Sequence, residues 1–420
     1  CYNHNIQKFV SNLSYTIFIG EEKKKMKKIL FIFTANQYNV VNEMVWRIAD
    51  YLEQQGGFTV GRYRLDDYEK VKDLDWDIVF SAQAIEFSKI KEADGRIHVT
   101  WLVDHPRYLV ERFMNYPELE KVYVGCVDRT HVTYLDKYYQ LPHAFFAPHF
   151  GWEAKKIVPY EERSCELFFP ASYVCWEKSV ASRYPGLDGA LKVITEKTIT
   201  FLEEHSDYTL EGGMETVFQQ FGEKDYLELS KSCLEIAGEY IDLKVRSDVR
   251  EYILHALLQA GIRLTVCGKN WSQFPATEAE KEYLTILGEE IPYLEVVEKM
   301  ADSKMVLNIM PWFKDGSHER AAMSTRNGAL CLTDKSRYLE EVWGNDGVIF
   351  FDVKHPETLV EKIKKYTQNE EEAKKIAVAG MEKSKIYAAV GNWGTYINDI
   401  IAGAKQEEKK YAAECLGITV

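Results

Sequence analysis

The chain has 420 residues, of which 46% are hydrophobic and 28% are charged. This length exceeds what one hydrophobic core ordinarily holds, so we expect two domains. The hydrophobic content excludes a disordered protein. The formal net charge of −13 argues against nucleic acid or an anionic membrane as the main partner. No apolar run reaches the roughly 18 residues of a membrane-spanning helix, so we expect no transmembrane segment.

The cysteines are scattered along the chain, and no two of them form a CxxC pair. Several lie in apolar segments, which favours reduced thiols in a cytoplasmic protein over disulfides or zinc ligands. The eight are Cys1, Cys126, Cys165, Cys175, Cys233, Cys267, Cys331 and Cys415.

Residues 1–25 do not resemble part of a fold. Residues 20–25, which precede Met26, can be encoded by purine-only codons, as a ribosome-binding site would be. Our hypothesis is therefore a non-native leader at 1–25 and a native start at Met26. A signal peptide is the alternative, although its apolar core would be short and acidic residues follow it directly.

Apolar runs and helical spacings alternate from Met26 onward. A helix is predicted at 40–54, where apolar residues recur at helical spacing. Strands are predicted at 29–33, 59–64, 78–81, 97–102, 122–127 and 143–147. This alternation is typical of an α/β doubly wound parallel sheet, so we predict a Rossmann-like domain over residues 26–160.

A second Rossmann-like domain is predicted over residues 161–385. Residues from about 185 to 240 carry almost only helical patterns, more than one crossover needs, and we interpret them as a helical insertion. Strands are predicted at 167–174, 262–267, 284–287, 306–310 and 329–333. Helices are predicted at 247–259, 293–301, 357–387 and 393–404, with residues 386–420 forming C-terminal helices.

The loop after the predicted strand 306–310 carries the densest group of polar side chains. It precedes a predicted helix, whose N-terminus and backbone N–H groups favour an anion. Arg320 can hold a phosphate bidentately, and Asp315 or Glu319 can accept hydroxyl protons from a sugar. The alternative is a capped, solvated helix start. We favour a ligand that bears phosphate.

Three other groups follow predicted strands and are weaker candidates. Residues 268–271 (Gly-Lys-Asn-Trp) leave the carboxyl end of the strand 262–267, where open α/β sheets bind ligands, but an ordinary turn explains them equally well. His149 closes the first unit and can face a cleft or be a satisfied loop histidine. The same two interpretations apply to Asp104 and His105.

Several enzyme classes lack their motifs in this sequence. No GxGxxG follows the first strand, which disfavours a dinucleotide site, and no GxxxxGK[ST] indicates a P-loop. No GxSxG nucleophile elbow is present. No metal-ligand cluster is visible either, so we predict no metal site.

Five segments of the second half together resemble the CgeB-like (spore maturation protein) glycosyltransferases, which have a GT-B fold. They are residues 268–271 (GKNW), 291–293 (IPY), 303–309 (SKMVLNI), 316–320 (GSHER) and 328–334 (GALCLTD). The resemblance covers about residues 246–401 well. In the first half it is weaker, through 104–106 (DHP) and 148–150 (PHF).

The resemblance implies two Rossmann-like domains that face each other across a cleft. It implies transfer of a hexose from a nucleoside diphosphate sugar to an acceptor protein or glycan, with no further cofactor and no obligatory metal. The expected donor-binding residues are Lys269, Asn270, Trp271, Tyr293, Asn308, Gly316, Ser317 and Arg320. The residues expected to orient the sugar or carry protons are Asp315, His318, Glu319 and His149.

The sequence departs from the pattern of related retaining enzymes at one position. Their two glutamates, separated by seven residues, fall here on Asp315 and Met323. Asp315 keeps a carboxylate, but Met323 cannot hydrogen-bond a ribose, so Glu319 or another group would take that role. The stereochemical outcome stays open. A sugar-nucleotide epimerase and a non-catalytic sugar-nucleotide-binding protein are the alternatives.

Overall fold

Apolar runs of the first half form a parallel sheet in the computed structural model, which describes residues 26–184 and 187–403. The sheet order is β2-β1-β3-β4-β5-β6. Its strands are β1 (Lys27–Phe33), β2 (Phe58–Arg64), β3 (Ile78–Ala82), β4 (Ile97–Leu102), β5 (Val122–Cys126) and β6 (Ala144–Phe146). Three helices accompany it: α1 (Val40–Gln55), α2 (Tyr68–Val71) and α3 (Arg129–Tyr139). The predicted leader 1–25 lies outside the described residues.

A second parallel sheet has the order β12-β11-β10-β7-β8-β9. Its strands are β7 (Cys165–Pro170), β8 (Leu264–Cys267), β9 (Leu284–Ile286), β10 (Ser303–Asn308), β11 (Leu330–Asp334) and β12 (Ile349–Phe351). Pro170 is the last residue of the central strand β7, so its missing N–H falls where sheet pairing ends. Two doubly wound parallel sheets confirm the predicted fold class.

Twelve helices follow β6 in the described part of the chain. Those that precede β10 are α4 (Trp176–Ser179), α5 (Gly189–Glu204), α6 (Leu210–Gln220), α7 (Tyr226–Gln259), α8 (Glu278–Lys281) and α9 (Tyr293–Ala301). Those that follow it are α10 (Glu319–Arg326), α11 (Arg337–Val342), α12 (Gly344–Gly347), α13 (Pro356–Gln368), α14 (Glu370–Tyr387) and α15 (Asn392–Ile401). None of the helices within residues 26–184 and 187–403 combines the length and apolarity that a bilayer span requires.

Two sequence expectations about helices and strands were wrong in detail. The single helix predicted at 357–387 is two helices, and Asn369 between them caps α14 by accepting a hydrogen bond from the backbone N–H of Glu372. Strand β12 was not predicted, because three residues are too few to show a pattern. The six cysteines in the described ranges form no disulfide with one another.

The helical insertion, defined here as α5, α6 and α7, packs on the first sheet although it follows β7 in the chain. Apolar residues of these helices share one buried cluster with Leu30, Val79 and Val124 of the first sheet. The last helix of the insertion, α7, has 34 residues and continues directly into the crossover to β8. The insertion therefore spans the junction between the two sheets.

The end of the described chain also returns to the first sheet. Trp393 of α15 is buried and packs edge-on against Phe80 and Trp101, with ring centroids 5.1 Å and 5.5 Å away. This return, together with the insertion, fixes the two sheets so that a cleft forms between their carboxyl ends.

Candidate functional site

The cleft between the two sheets has a volume of about 360 Å³. Its walls come from the loops after β1, β4 and β6 on one side and from the ends of β7 and β8 on the other, with α7 and the start of α10 between them. In each sheet the winding reverses at a switch point, between β1 and β3 and between β7 and β10. Ligands of open α/β sheets bind at such points.

Arg320, in the first turn of α10, brings a positive charge into the cleft. Its Nε donates to the side-chain oxygen of Asn308 at 3.1 Å, and its two terminal nitrogens donate to the carbonyl oxygens of Pro170 and Ile309, each at 3.3 Å. The side chain is only 4% exposed. These direct acceptors are neutral, so the guanidinium is oriented but its charge is not cancelled by an ion pair.

Two further arginines, Arg246 and Arg250, reach the same cleft from α7. They are four residues apart and so share one face of the helix. Arg246 is bound to Asp242 at 2.6 Å, whereas Arg250 donates to the carbonyl oxygen of Ser172 at 3.3 Å and its buried Nε has no partner. Burial and the positive charges of Arg320 and Arg246 lower the pKa of Arg250 well below its ordinary value. An anion in the cleft would relieve this crowding of positive charge.

Glu319 and His318 lie beside the arginines and line the cleft. Nδ1 of His318 is 2.5 Å from Oε2 of Glu319. Burial alone would raise the pKa of the Glu319 carboxyl, but the neighbouring His318 and Arg320 hold it below its ordinary value. Glu319 is therefore an ionised carboxylate that can accept hydrogen bonds inside the cleft.

His149 is 2% exposed and also lines the cleft. Its Nδ1 lies 2.6 Å from the carbonyl oxygen of Ser317. A carbonyl oxygen only accepts, so Nδ1 carries the proton and Nε2 holds the lone pair of the neutral ring. Burial lowers the pKa of His149, which keeps the ring neutral near pH 7.

The side of the cleft near β8 and α9 is lined by Gly268 and Tyr293. The hydroxyl of Tyr293 is buried and has no hydrogen-bond partner in the part of the chain that the structure describes. Gly268 has a φ of 125°, and a Cβ there would lie 2.8 Å from Ala171 backbone atoms. Only glycine lets β8 and the chain after β7 approach this closely, which places the residues after both strands at the cleft.

The structure brings five of the predicted site residues to the cleft, and they are His149, Tyr293, His318, Glu319 and Arg320. Asp315 is not among the residues that line it. Its carboxylate is paired with Arg129 at 3.1 Å and with Arg337 at 3.2 Å, at the junction between α3 and the second sheet. The carboxylate that faces the cleft is Glu319, four residues later.

The segment 268–271 was predicted to contact the donor through its side chains, and the structure places them elsewhere. Trp271 is 2% exposed, lies in the core of the second sheet and donates through Nε1 to the carbonyl oxygen of Ala171. The Asn270 side chain donates to the carbonyl oxygen of Tyr173, and Lys269 pairs with Glu290 at 3.5 Å on the surface. In this segment only Gly268 lines the cleft.

Three other predicted donor residues support the site without lining it. Asn308 orients Arg320, and Ser317 accepts the hydrogen bond from His149. Gly316 packs against the loop between β5 and α3, since a Cβ there would lie 2.2 Å from the carbonyl oxygen of Val127. Met323 is fully buried in the core below the cleft. It therefore does not reach a ligand in the cleft.

Sequence reasoning missed Arg246, Arg250 and Tyr38. Tyr38 follows β1 and lines the cleft, where its hydroxyl accepts a hydrogen bond from the backbone N–H of Lys269 at 3.1 Å. The two arginines carried one signal, a spacing of four residues across the start of the helix predicted at 247–259. No group of three or more His, Cys, Asp or Glu within residues 26–184 and 187–403 is arranged to hold a metal ion. Independence of metal ions stays a prediction.

Comparison with known proteins relates this architecture to sugar-transferring enzymes. Residues 246–389 match the family described as Glycosyl transferase-like. No curated protein matches the chain. Sucrose-phosphate synthase from Thermosynechococcus elongatus is similar in structure, with 9% identity, a TM-score of 0.52, and 90% of this chain and 100% of that chain covered.

Two further solved structures are similar over 90% of this chain and 99% of theirs. An α-glucosyltransferase in complex with UDP and a 13-mer DNA has 12% identity and a TM-score of 0.53. HepE from Anabaena, in complex with UDP and glucose, has 10% identity and a TM-score of 0.51. The chain therefore has the GT-B fold, and its residues 246–389 match the Glycosyl transferase-like family.

Proposed function

We propose that this protein is a CgeB-like glycosyltransferase that transfers a hexose from a nucleoside diphosphate sugar to an acceptor, without an obligatory metal ion. The observation that carries the proposal is the group of Arg246, Arg250 and Arg320 in the cleft between the sheets. Within the described residues, neither Arg250 nor Arg320 forms an ion pair with a carboxylate. A diphosphate supplies the negative charge that this group lacks.

Glycosyl transfer builds up negative charge on the diphosphate as the bond between the sugar and its leaving oxygen breaks. Arg250 and Arg320 are held in place by carbonyl oxygens and by Asn308. Positive groups that are fixed before the reaction stabilise such charge without reorganisation. A metal ion would have the same task, so we propose that the arginines replace it.

The sugar of the donor would lie between the arginines and the two groups that accept hydrogen bonds, Glu319 and His149. The ionised Glu319 accepts from sugar hydroxyls and orients the ring. Nε2 of His149 accepts from a hydroxyl or takes its proton. The Tyr293 hydroxyl, which has no partner among the described residues, would contact the nucleoside. It would supply the hydrogen bond that Met323 cannot make.

The solved neighbours guide the choice of donor and acceptor. An α-glucosyltransferase and HepE are each found with UDP, and HepE with UDP-glucose, so UDP-glucose is the first donor to test. The α-glucosyltransferase is also found with DNA. The net charge of −13 of this chain disfavours DNA as its acceptor, and we propose a cytoplasmic enzyme that acts on a protein or glycan.

The experiment is a thermal-shift panel of nucleoside diphosphates and their sugars, with and without EDTA. A ligand that binds only the native state at a hundred times its Kd adds about 2.7 kcal/mol to the free energy of unfolding. We expect a shift with one nucleotide class that survives EDTA, is lost in Arg250→Met and persists in Arg263→Met. Arg263 is a matched control because it is exposed and lies ahead of β8, away from the cleft.

Product analysis then separates the alternatives. An epimerase would convert the donor sugar without any acceptor, and NMR of the incubated donor would show a second sugar nucleotide. A non-catalytic binding protein would shift with nucleotide but release no nucleoside diphosphate with any acceptor. If no nucleotide shifts the wild type, the proposal of a glycosyltransferase is wrong.

A further inference from the structure

We propose that the helical insertion (α5, α6 and α7) closes the first-sheet side of the cleft into a chamber for one neutral sugar ring, and that the acceptor presents such a ring. The catalytic role of the chamber rests on the proposed glycosyl transfer. The binding of a sugar ring rests on the chamber alone.

The chamber has a volume of about 90 Å³, which limits its occupant to one small ring. It opens into the cleft, because Asp104, Arg246, Arg250 and His318 line both spaces. A molecule in the chamber would thus lie next to a donor in the cleft. This is the position that an acceptor needs.

His131, at the start of α3, lines the chamber and has no hydrogen-bond partner within residues 26–184 and 187–403. It is 2% exposed, and both of its ring nitrogens are buried without a partner. Burial, and to a smaller extent the neighbouring His105, lowers the pKa of His131 well below its ordinary value. The ring is therefore neutral and presents one donor and one acceptor. A sugar hydroxyl can donate and accept, and it would satisfy both kinds of group.

Other polar groups that line the chamber can also form a hydrogen bond with a hydroxyl. Nε1 of Trp312 is buried without a partner. Nε2 of His105 lies 3.5 Å from Oε2 of Glu211, which is too long for a strong hydrogen bond. Each of these unsatisfied groups costs free energy in an empty chamber, and together they surround the space with donors and acceptors.

The aromatic rings and the charges favour a neutral ring over an anion. The His131 ring lies 4.6 Å from that of His105 and 5.7 Å from that of Phe313, which gives the chamber flat apolar faces of the kind that cover the C–H face of a sugar. The carboxylate of Asp242 is matched by Arg107 and Arg246. Glu211 would repel an anion, and Arg250, which has no ion pair among the described residues, lies where the chamber meets the cleft, on the side of the proposed diphosphate.

The insertion supplies one wall of the chamber and limits its size. Thr209, Leu210 and Glu211 at the start of α6 and Asp242 of α7 line it. The wall is held to the first sheet by Arg107 and Tyr108, which both bind Asp242, and by Lys137, which binds Glu215 at 2.5 Å. A folded protein surface does not fit behind this wall, whereas a free sugar or the terminal sugar of a chain does.

The test is saturation-transfer NMR on the full chain with methyl glycosides of glucose, galactose, mannose and N-acetylglucosamine, with and without UDP. We expect saturation of the ring protons of at least one glycoside in the wild type. The signal should fall at least fivefold in His131→Phe and in Trp312→Phe, which keep an aromatic ring. The matched control is His143→Phe, because His143 stacks on Tyr123 outside the chamber.

The outcomes separate this inference from the proposed function. A glycoside signal that is absent from the wild type, or equal in His131→Phe, overturns the chamber even if UDP binds. A glycoside signal that depends on His131 without any UDP binding supports the chamber and overturns the donor site. Oligosaccharides of the bound sugar identify the source: saturation of the terminal ring alone indicates a chain end, and binding of the monosaccharide only indicates a free sugar.

Discussion

The buried carboxylate of Asp128 accepts a hydrogen bond from the backbone N–H of Asp315, at 3.0 Å, across the junction between the two sheets. Its other oxygen accepts from the backbone N–H of Thr130 at 2.7 Å and so caps α3. The loop that leads into α10 is thereby fixed to the first sheet. His318 and Glu319 follow directly, so one carboxylate helps to place the polar groups of the cleft.

Replacing Asp128 with alanine should lower the free energy of unfolding by about 2 kcal/mol. The loss of a helix cap costs about 1 kcal/mol, and a buried N–H without an acceptor costs about 1–3 kcal/mol. Urea unfolding at pH 8 measures the change. Asp136→Ala, at an exposed position of the same helix, is the control and should stay within about 0.5 kcal/mol of the wild type. Equal stability of both variants would contradict this role of Asp128.

Asp315 and Glu319 should differ in their effect on sugar transfer. Glu319→Gln removes the ionised carboxylate that faces the cleft, and we expect kcat/KM to fall at least about a hundredfold, or about 2.7 kcal/mol. Asp315→Asn weakens ion pairs at the junction and should change kcat/KM by less than about threefold. Kinetics with the donor found by thermal shift measure both. The reverse order would restore the assignment of Asp315 that the sequence favoured.

The strands were predictable because parallel strands buried on both faces are continuous apolar runs. The run at 97–102 is β4 residue for residue. Such runs reveal which segments are strands, and their alternation with helices reveals the winding. They do not reveal a strand as short as β12, or the break at Asn369 inside a continuous helical pattern.

The candidate site was predictable in part. The loop at 315–320 was identified because its polar residues follow a buried strand, yet spacing alone does not reveal which carboxylate turns toward the cleft. Trp271 follows a strand in the same way and turns into the core. Arg250 was missed because its place depends on how the insertion packs on the first sheet, a contact between residues far apart in the chain.

Glu86 provides a test of the electrostatics of the first sheet away from the cleft. Burial raises the pKa of its carboxyl to about 7, against an ordinary value near 4.5. The contribution of Glu86 to the free energy of unfolding is therefore fully present below pH 4.5, where the carboxyl is protonated. It is lost as the pH rises through 7, because ionisation in the buried site is unfavourable.

The variant Glu86→Gln lacks this titration. Relative to the wild type, its free energy of unfolding should be higher at pH 8 than at pH 5 by up to about 3 kcal/mol. Urea unfolding of both proteins at the two pH values measures the difference. Glu120→Gln, an exposed position, should show no such dependence. A Glu86→Gln difference that does not change with pH would mean that this carboxyl titrates normally.

The pH profile of transfer should report on His149. Its neutral ring donates through Nδ1 to Ser317 and leaves the lone pair of Nε2 for the substrate, so protonation of Nε2 would abolish that contact. Because burial lowers the pKa of His149, the acid limb of kcat/KM should lie below pH 6.5, with a flat region above it. His149→Gln should lower activity about tenfold to a hundredfold at pH 7.5 and remove the limb, whereas His143→Gln should keep the wild-type profile. A limb that persists in His149→Gln would assign the titration to another group, of which His318 is the nearest in the cleft.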